Sequence, residues 1–307
     1  GGKDFTYTSD HMYVSGGNSS SRKNLTVMKK EQIDDFTKLN VDFEDFDLDI
    51  RTSDDDHYYM EYKLEKNGRK NPLTWKDKDG ELTLEEPAGG SGSYYITYDL
   101  GIFSTHADLT EKKDALNTVV LYIPEKAQLS EAELQLSDGD LAADQLLCKE
   151  MTLELLSGDL MLDKGEFEKF DAKLSDGDLN VKELQCTDNM QLKSGNGDVT
   201  IKKAELADGQ IALSDGDIQI DNSSFNGDMK INSSCGDVSV EMKNGSAEKT
   251  NIYLKAADGD VDTEGLSRGK TDNEEDPSVY ENKAGASAPT LNVECSDGDI
   301  TLTESEK

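Results

Sequence analysis

A short motif, Gly-Asp followed by an apolar residue, returns along the chain at an almost fixed spacing and restricts the possible folds more than any other feature. Successive motif glycines lie 19, 19, 20, 19, 20, 23 and 39 residues apart. A period of this size is typical of solenoid proteins, in which each repeat stacks on the next. The motif glycines are Gly139, Gly158, Gly177, Gly197, Gly216, Gly236, Gly259 and Gly298.

Within each repeat, apolar and polar residues alternate, which is the pattern of a β-strand. Leu134 and Leu136 precede one Ser-Asp-Gly-Asp turn, and Leu141 and Ala143 follow it. Residues two apart lie on one face of a strand, and the glycine-containing insert bends the chain. A second apolar cluster follows each motif glycine, as at Leu146. We therefore predict a rung of two short strands and two turns.

A repeat this small can bury its apolar face only by stacking on its neighbours. The sequence thus predicts an all-β protein whose main part is a parallel β-helix, or solenoid, with rungs of about 19–20 residues. Cys148 and Cys186 share a column two rungs apart, which at about 4.8 Å per rung exceeds the reach of a disulfide. The predicted apolar columns are Leu136, Leu155, Leu174, Leu213 and Leu141, Leu160, Leu179, Val199, Ile218, Val238, Val261, Ile300.

Three regions are predicted from the pattern. Residues 1–34 form an N-terminal segment that is partly flexible, and residues 35–125 are β-like without a strict period. Residues 126–307 hold the solenoid repeats, with a surface insertion at 267–289.

Both ends of a solenoid expose strand edges that need protection. We predict that the region before residue 126 caps one end by packing on the rung around Leu134–Leu141. At the other end we expect the short, charged segment Thr301–Lys307 to discourage end-to-end stacking.

The charge of the chain limits its partners. Asp+Glu 65 against Lys+Arg 32 gives a formal charge of −33. Affinity for nucleic acid comes from Lys and Arg, so nucleic acid is excluded as a partner, and direct binding to an anionic membrane surface is disfavoured for the same reason. No stretch approaches the ~20 apolar residues of a membrane-spanning helix, so we expect any anchor to lie outside this chain. Cysteine and histidine positions show no zinc spacing.

Aspartates form two columns in the predicted stack, one after each motif glycine and a partial one before it. At about 4.8 Å, adjacent carboxylates repel by roughly 1 kcal/mol in water. Either each aspartate caps its own turn by accepting backbone N–H bonds, or calcium binds between turns, because carboxylates and carbonyls are hard oxygen ligands. Asn196 and Ser157 fit turn capping, since neither adds charge. The candidate calcium ligands are Asp138, Asp140, Asp176, Asp178, Asp215 and Asp217.

No catalytic residue is predicted. Repetition alone generates carboxylate pairs, so the many aspartates do not indicate a glycoside-cleaving pair. His57 and His106 have no Ser or Cys nucleophile motif nearby, and Gly-x-Ser-x-Gly is absent. We predict that the protein is not an enzyme and needs no cofactor, apart from the calcium alternative.

Val119–Pro124, followed by Leu134–Leu141 and the repeated Ser-Asp-Gly-Asp turns, resembles the bacterial "putative adhesin" family of unknown function. Its members include envelope-stress proteins linked to Lia-type antibiotic-response systems. The resemblance covers about residues 35–307 and implies an extracytoplasmic β-solenoid, often tethered to a membrane, without established enzymatic activity. This chain departs from the family pattern in its 267–289 insertion, in Cys235 before Gly236 and in lacking an anchor.

These observations predict a non-enzymatic β-solenoid of the bacterial cell envelope, located outside the cytoplasm, that serves as an interaction, sensing or adhesin-like module. Its expected partner is a protein, a cationic peptide or a glycan at the cell surface, because an acidic field concentrates cationic partners. The alternatives are a calcium-stabilised stalk and, less favoured, a glycan-active enzyme.

Overall fold

The structure, a computed structural model, describes residues 4–7, 12–15, 24–88, 115–266 and 269–306. Most of these residues lie in β-strands, and the described part of the chain contains no α-helix. A 3-10 turn occupies Ala247–Lys249. The predicted all-β class is confirmed.

The first part of the chain contains ten strands among the described residues, and the first three belong to the predicted N-terminal segment 1–34. Their bounds are β1 Asp4–Tyr7, β2 Met12–Ser15, β3 Leu25–Ile33, β4 Lys38–Phe43, β5 Asp47–Ser53, β6 Tyr58–Glu65, β7 Thr74–Lys78, β8 Glu81–Glu85, β9 Thr118–Pro124 and β10 Leu129–Leu136.

The repeat region contains the longest strands. The bounds are β11 Leu141–Ser157, β12 Leu160–Asp176, β13 Leu179–Asn196, β14 Val199–Ile201, β15 Ala204–Asp215, β16 Ile218–Phe225, β17 Met229–Cys235, β18 Val238–Met242, β19 Asn251–Asp258, β20 Val261–Asp262, β21 Lys270–Thr271, β22 Val279–Asn282, β23 Thr290–Asp297 and β24 Ile300–Glu304. Of these, β11, β12, β13, β15 and β16 each run through more than one side of a rung.

Successive rungs pair as parallel strands in register, so equivalent residues lie over one another. Leu141 pairs with Leu160, which pairs with Leu179. All three side chains are almost fully buried. The stacked apolar residues form one continuous core. The predicted β-solenoid with columns of apolar residues is therefore confirmed.

Alternation of buried and exposed residues changes phase three times in each repeat between Leu141 and Cys235, and each change marks a corner. In β11 the changes fall at 144–145, at 149–150 and after Leu155. The second apolar cluster of each repeat, here Leu146 and Cys148, thus forms a short side of its own. Phe167 stands between Cys148 and Cys186 in the column, so these two thiols are two rungs apart, as predicted.

Ten rungs stack in the described part of the chain, and we number them in stacking order. Rung 1 is β8 with β9, and rung 2 is β4 with β5. Rungs 3 to 7 follow the chain from β10 to β16. Rung 8 is β17 with β18, rung 9 is β23 with β24, and rung 10 is β19 with β20.

At the N-terminal end, the region before residue 126 packs on the first regular rung, as predicted. β4 pairs in parallel with β10, and the start of β11 pairs with β5. Rung 1 lies outside rung 2, although it comes later in the chain. Antiparallel strands then cover rung 1: β7 pairs with β8, and β6 pairs with β9 and β3.

At the C-terminal end, stacking order again differs from chain order. Rung 9, which contains Thr301, lies between rung 8 and rung 10. The prediction that Thr301–Lys307 forms the exposed end is therefore wrong. Strand β22, from the predicted insertion 267–289, pairs antiparallel with β19 of rung 10, and β21 pairs with β22. Antiparallel strands thus cover both ends, which limits the number of open edges.

No helix long and apolar enough to span a bilayer occurs among the described residues.

Removal of residues 290–307 tests the inserted position of rung 9. Rung 10 would then lose its only parallel neighbour, so we expect β19 and β22 to unfold although their sequence is intact. Hydrogen exchange of the amides of Ile252 and Leu254 measures this, with removal of residues 306–307 alone as the control. Unchanged protection of Ile252 and Leu254 in the long truncation would contradict the stacking order.

Candidate functional site

The Ser-Asp-Gly-Asp turns lie over one another and form one corner of the solenoid. A Cβ atom at Gly177 would overlap the carbonyl oxygen of Gly158 in the neighbouring rung, and the φ of Gly177 is +143°. Only glycine combines that close approach with that backbone conformation. Overlap with a backbone carbonyl of the adjacent rung also occurs at Gly139, Gly158, Gly197, Gly216, Gly236, Gly298 and Gly259.

The aspartate after each motif glycine connects neighbouring rungs. Oδ1 of Asp178 accepts a hydrogen bond from the backbone N–H of Asp198 at 2.8 Å. The N–H of Asp178 in turn donates to Oδ1 of Asp159 at 2.7 Å. The same bond joins every rung from 2 to 10, and we call the set the aspartate ladder. In stacking order it consists of Asp47, Asp140, Asp159, Asp178, Asp198, Asp217, Asp237, Asp299 and Asp260.

The turn-capping alternative is wrong for the aspartate after each motif glycine, because the N–H that its Oδ1 accepts belongs to the adjacent rung. Parallel, in-register stacking brings that N–H beside the carboxylate. Hydrogen bonds to an ionised acceptor are stronger than neutral ones. Each bond therefore offsets part of the repulsion between carboxylates about 4.8 Å apart.

Rung 2 lacks the motif glycine, and a buried ion pair supports its turn instead. Phe46 occupies the glycine position, and Oε2 of Glu86 accepts the N–H groups of Glu44, Asp45 and Phe46 at 2.9, 2.8 and 3.0 Å. Oε1 of Glu86 lies 3.2 Å from the Arg69 guanidinium, and the exposed fractions of the Arg69 and Glu86 side chains are 10% and 0%. Burial raises the pKa of Glu86, while the hydrogen bonds and Arg69 partly offset the rise.

The column before the glycine, which we call the outer column, alternates charged and neutral residues. Cys235 of rung 8 pairs with Asp297 of rung 9, so the alternation continues where the stacking order departs from the chain order. Nδ2 of Asn196 donates to Oδ1 of Asp176 at 2.6 Å. In stacking order the outer column is Asp138, Ser157, Asp176, Asn196, Asp215, Cys235, Asp297 and Asp258.

Alternation keeps most outer carboxylates two rungs, or about 10 Å, apart, which lowers their mutual repulsion. The exception is Asp258 beside Asp297 at rung 10. We refer to the aspartate ladder and the outer column together as the acidic ridge. It continues along one corner from rung 2 to rung 10, with most of its aspartates exposed.

The six candidate calcium ligands lie on this ridge as three separate pairs. Asp138 and Asp140 share one turn, and the pairs Asp176–Asp178 and Asp215–Asp217 lie two and four rungs further on. Oδ1 of Asp140, Asp178 and Asp217 already accepts a backbone hydrogen bond. No group of three or more His, Cys, Asp or Glu side chains in the described ranges is arranged to hold a metal ion. Calcium binding stays a prediction.

Titration of the ridge is perturbed at its two ends. Burial, with a smaller contribution from the charges of Asp140 and Asp49, raises the pKa of Asp47 to about 7. Burial also raises the pKa of Asp140. At the other end, a hydrogen bond with Asp276 and its charge raise the pKa of Asp260.

Two of the remaining reactive side chains lie at the ridge: Cys235 belongs to the outer column, and Sγ of Cys295 donates to the carbonyl oxygen of Gly236. His57 is exposed and its Nδ1 lies 3.3 Å from the Gln32 amide, while His106 lies outside the described residues. Cys148, Cys186 and Cys295 are buried free thiols. Burial raises the pKa of Cys148 to about 12, which makes it unreactive. Cys235 is the exposed member of the four.

Fold and ridge together define an acidic β-solenoid repeat protein. Residues 36–303 match the model of the Toastrack family DUF4097, and the chain belongs to that family. This confirms the resemblance at the level of the family, and the narrower link to Lia-type proteins stays a prediction. No curated protein matches the chain.

Several solved structures are similar to the chain over most of its length. A protein named a "putative adhesin" from Bacteroides fragilis NCTC 9343 is 12% identical, with a TM-score of 0.49, covering 92% of this chain and 98% of its own. Another so named, from Parabacteroides merdae ATCC 43184, is 15% identical, with a TM-score of 0.49 and coverage of 92% and 97%. A "putative lipid binding protein" from Parabacteroides distasonis ATCC 8503 is 13% identical, with a TM-score of 0.45 and the same coverage.

Substitution of Asp178 separates the hydrogen bond of the ladder from its charge. Asp178→Ala leaves the N–H of Asp198 without its acceptor and is expected to lower the free energy of unfolding by about 1–3 kcal/mol. Asp178→Asn keeps an acceptor oxygen and removes one repelling charge, so we expect little loss or a small gain. Denaturant unfolding measures both. Equal losses in the two variants would mean that the charge, rather than the bond between rungs, matters.

Asp47→Asn tests the base of the ladder through its pH dependence. The pKa of Asp47 is about 7 in the fold and 3.8 in the reference state. The folded state therefore binds the proton more tightly, and this contribution to stability is complete below pH 3.8 and lost as the pH rises to about 7. The asparagine that this substitution introduces cannot ionise, but its side-chain oxygen can still accept the N–H of Asp140.

We expect the melting temperature of Asp47→Asn to exceed that of the wild type at pH 8 and the difference to shrink at pH 5. Thermal melts at both values check this. A difference that is constant over the range would show that Asp47 is not protonated in the fold.

Proposed function

We propose that the protein is a non-enzymatic, extracytoplasmic interaction or sensing module of a bacterial cell envelope, and that it contacts cationic partners through the acidic ridge. The observation that carries this proposal is the exposure of aspartates at fixed spacing along one corner, as at Asp176, Asp178 and Asp215. Membership of the Toastrack family DUF4097 is consistent with this role, because a solenoid supplies a rigid, extended surface.

Rigidity makes the ridge suitable for binding an extended chain. The turns that carry it are fixed by the close glycine contacts and by the ladder bonds, so little side-chain freedom has to be lost on binding. A cationic peptide lying along the corner would meet outer carboxylates at intervals of about 10 Å. The net charge of −33 also speeds the approach of cations.

Binding of a lysine decapeptide, measured calorimetrically, tests the proposal. We expect micromolar or tighter affinity at low salt and a steep loss of affinity as salt rises, since surface charges are screened over about 10 Å at 0.1 M salt. Undetectable or salt-insensitive binding would remove a cationic peptide as the partner.

Two charge-matched triple variants locate the binding surface. The ridge variant changes Asp138, Asp176 and Asp215 to Asn, at positions outside the ladder. The control changes Glu133, Glu150 and Glu154 to Gln, which are exposed residues of β10 and β11 that lie outside the acidic ridge. We expect the ridge variant to bind several-fold more weakly than the control. Equal affinities would show that net charge alone attracts the peptide.

The calcium-stabilised stalk is the alternative. One observation favours it: Asp258 and Asp297 of adjacent rungs are stacked without a neutral residue between them, so a cation could bind both carboxylates. A calcium ion bound there, or at the six predicted ligands, would raise the melting temperature by mass action. Equal melting temperatures in calcium and in chelator would contradict stabilisation by calcium.

A further inference from the structure

Strand β7 covers rung 1, and it carries a charged residue on its inward side. Trp75 and Asp77 point inward, and they alternate with the exposed Lys76 and Lys78. Trp75 is 4% exposed. Inward-pointing charges on edge strands weaken edge pairing and oppose aggregation. The strength of the pairing between β7 and β8 should therefore depend on whether the Asp77 side chain is ionised.

The carboxylate of Asp77 is poorly compensated. Both of its oxygens are shielded from solvent, and neither is engaged in a hydrogen bond of good geometry. The residue directly opposite on β8 is the buried Leu82. The backbone N–H of Asp34 approaches the carboxylate and stabilises its charge in part. An ionised carboxylate in such a place is costly.

The charged side chains that act on Asp77 are negative. Asp34 and Asp35 follow β3 and lie close enough to disfavour its ionisation. The other charged residues of the hairpin, which are Lys76, Lys78, Asp79, Glu81 and Glu85, are directed to solvent or lie in the exposed turn.

Burial, followed by the charges of Asp34 and Asp35, raises the pKa of Asp77 to about 7. The protonated form is thus favoured in the fold, and its stabilising contribution is complete below the reference value of 3.8 and lost as the pH rises to about 7. Ionisation of Asp77 then adds a third negative charge close to those of Asp34 and Asp35.

We propose that β7 is a pH-dependent cover over the N-terminal end of the solenoid, closed while Asp77 is protonated and released from β8 when Asp77 ionises. β7 is suited to release because it is five residues long and, among the described strands, pairs with β8 alone. Release uncovers the backbone edge of β8, and with it the outermost rung. The rest of the solenoid keeps its pairing.

The chain contains one tryptophan, and its position on β7 makes it a direct probe of release. We expect the fluorescence of Trp75 to shift to longer wavelength, and its quenching by acrylamide to rise about twofold or more, as the pH is raised from 5 to 9, in the manner of a local opening. Constant emission and quenching over this range would overturn the proposal.

Two single variants separate local release from general loosening. Asp77→Asn is neutral and similar in size, so its fluorescence should stay that of the closed state. Asp47→Asn removes a carboxyl that titrates in the same range at the base of the ladder, and it should keep the wild-type transition. If Asp77→Asn retains the transition, or Asp47→Asn abolishes it, the cover is not controlled by Asp77.

A double variant decides the matter if Asp77→Asn opens β7 at every pH. Asp34→Asn combined with Asp35→Asn changes exposed side chains and removes the charges that raise the pKa of Asp77. The midpoint of the fluorescence transition should then move to lower pH with a smaller amplitude. An unchanged midpoint would overturn the proposal.

Discussion

Direct stacking of one turn on the same turn of the next rung is the constraint on which this protein depends. The glycine of each turn removes the Cβ that would otherwise hold neighbouring backbones apart. The aspartate that follows then accepts an N–H of the adjacent rung. Since the corner fixes the register, the apolar residues on either side are aligned over one another and build a dry core. The hydrophilic aspartate of each turn thereby helps to align the apolar side chains of the core.

Most of the fold could be predicted from the sequence because the repeat states the register directly. The column through Leu141, Leu160 and Leu179 needs only the spacing of the motif. The order of rungs 8 to 10 could not be predicted, since a local pattern does not say which of two similar strands, β19 or β23, pairs with β17. The role of Glu86 was missed for a related reason: its partners, Glu44 to Phe46, lie some forty residues away and carry no motif.

The position of the candidate site was predicted from the sequence, but the hydrogen bonds that build it were not. The aspartate columns are visible in the sequence, whereas the direction of each hydrogen bond depends on the neighbouring rung. Alternation of charge in the outer column can be read from the sequence, but the pairing of Cys235 with Asp297 cannot, because the two residues are 62 apart in the chain and adjacent in the stack. Charge is thus distributed along the corner so that a strongly acidic surface remains compatible with close stacking.

The inserted position of rung 9 has a consequence for how the protein is made. Strand β19 leaves the ribosome before β23, yet β23 is the strand that joins it to the rest of the solenoid. Until β23 and β24 have been synthesised, the segment that forms rung 10 lacks the rung on which it stacks. This end of the solenoid can therefore be assembled only after β23 and β24 have been synthesised, unlike the middle rungs, which can add one by one as they emerge.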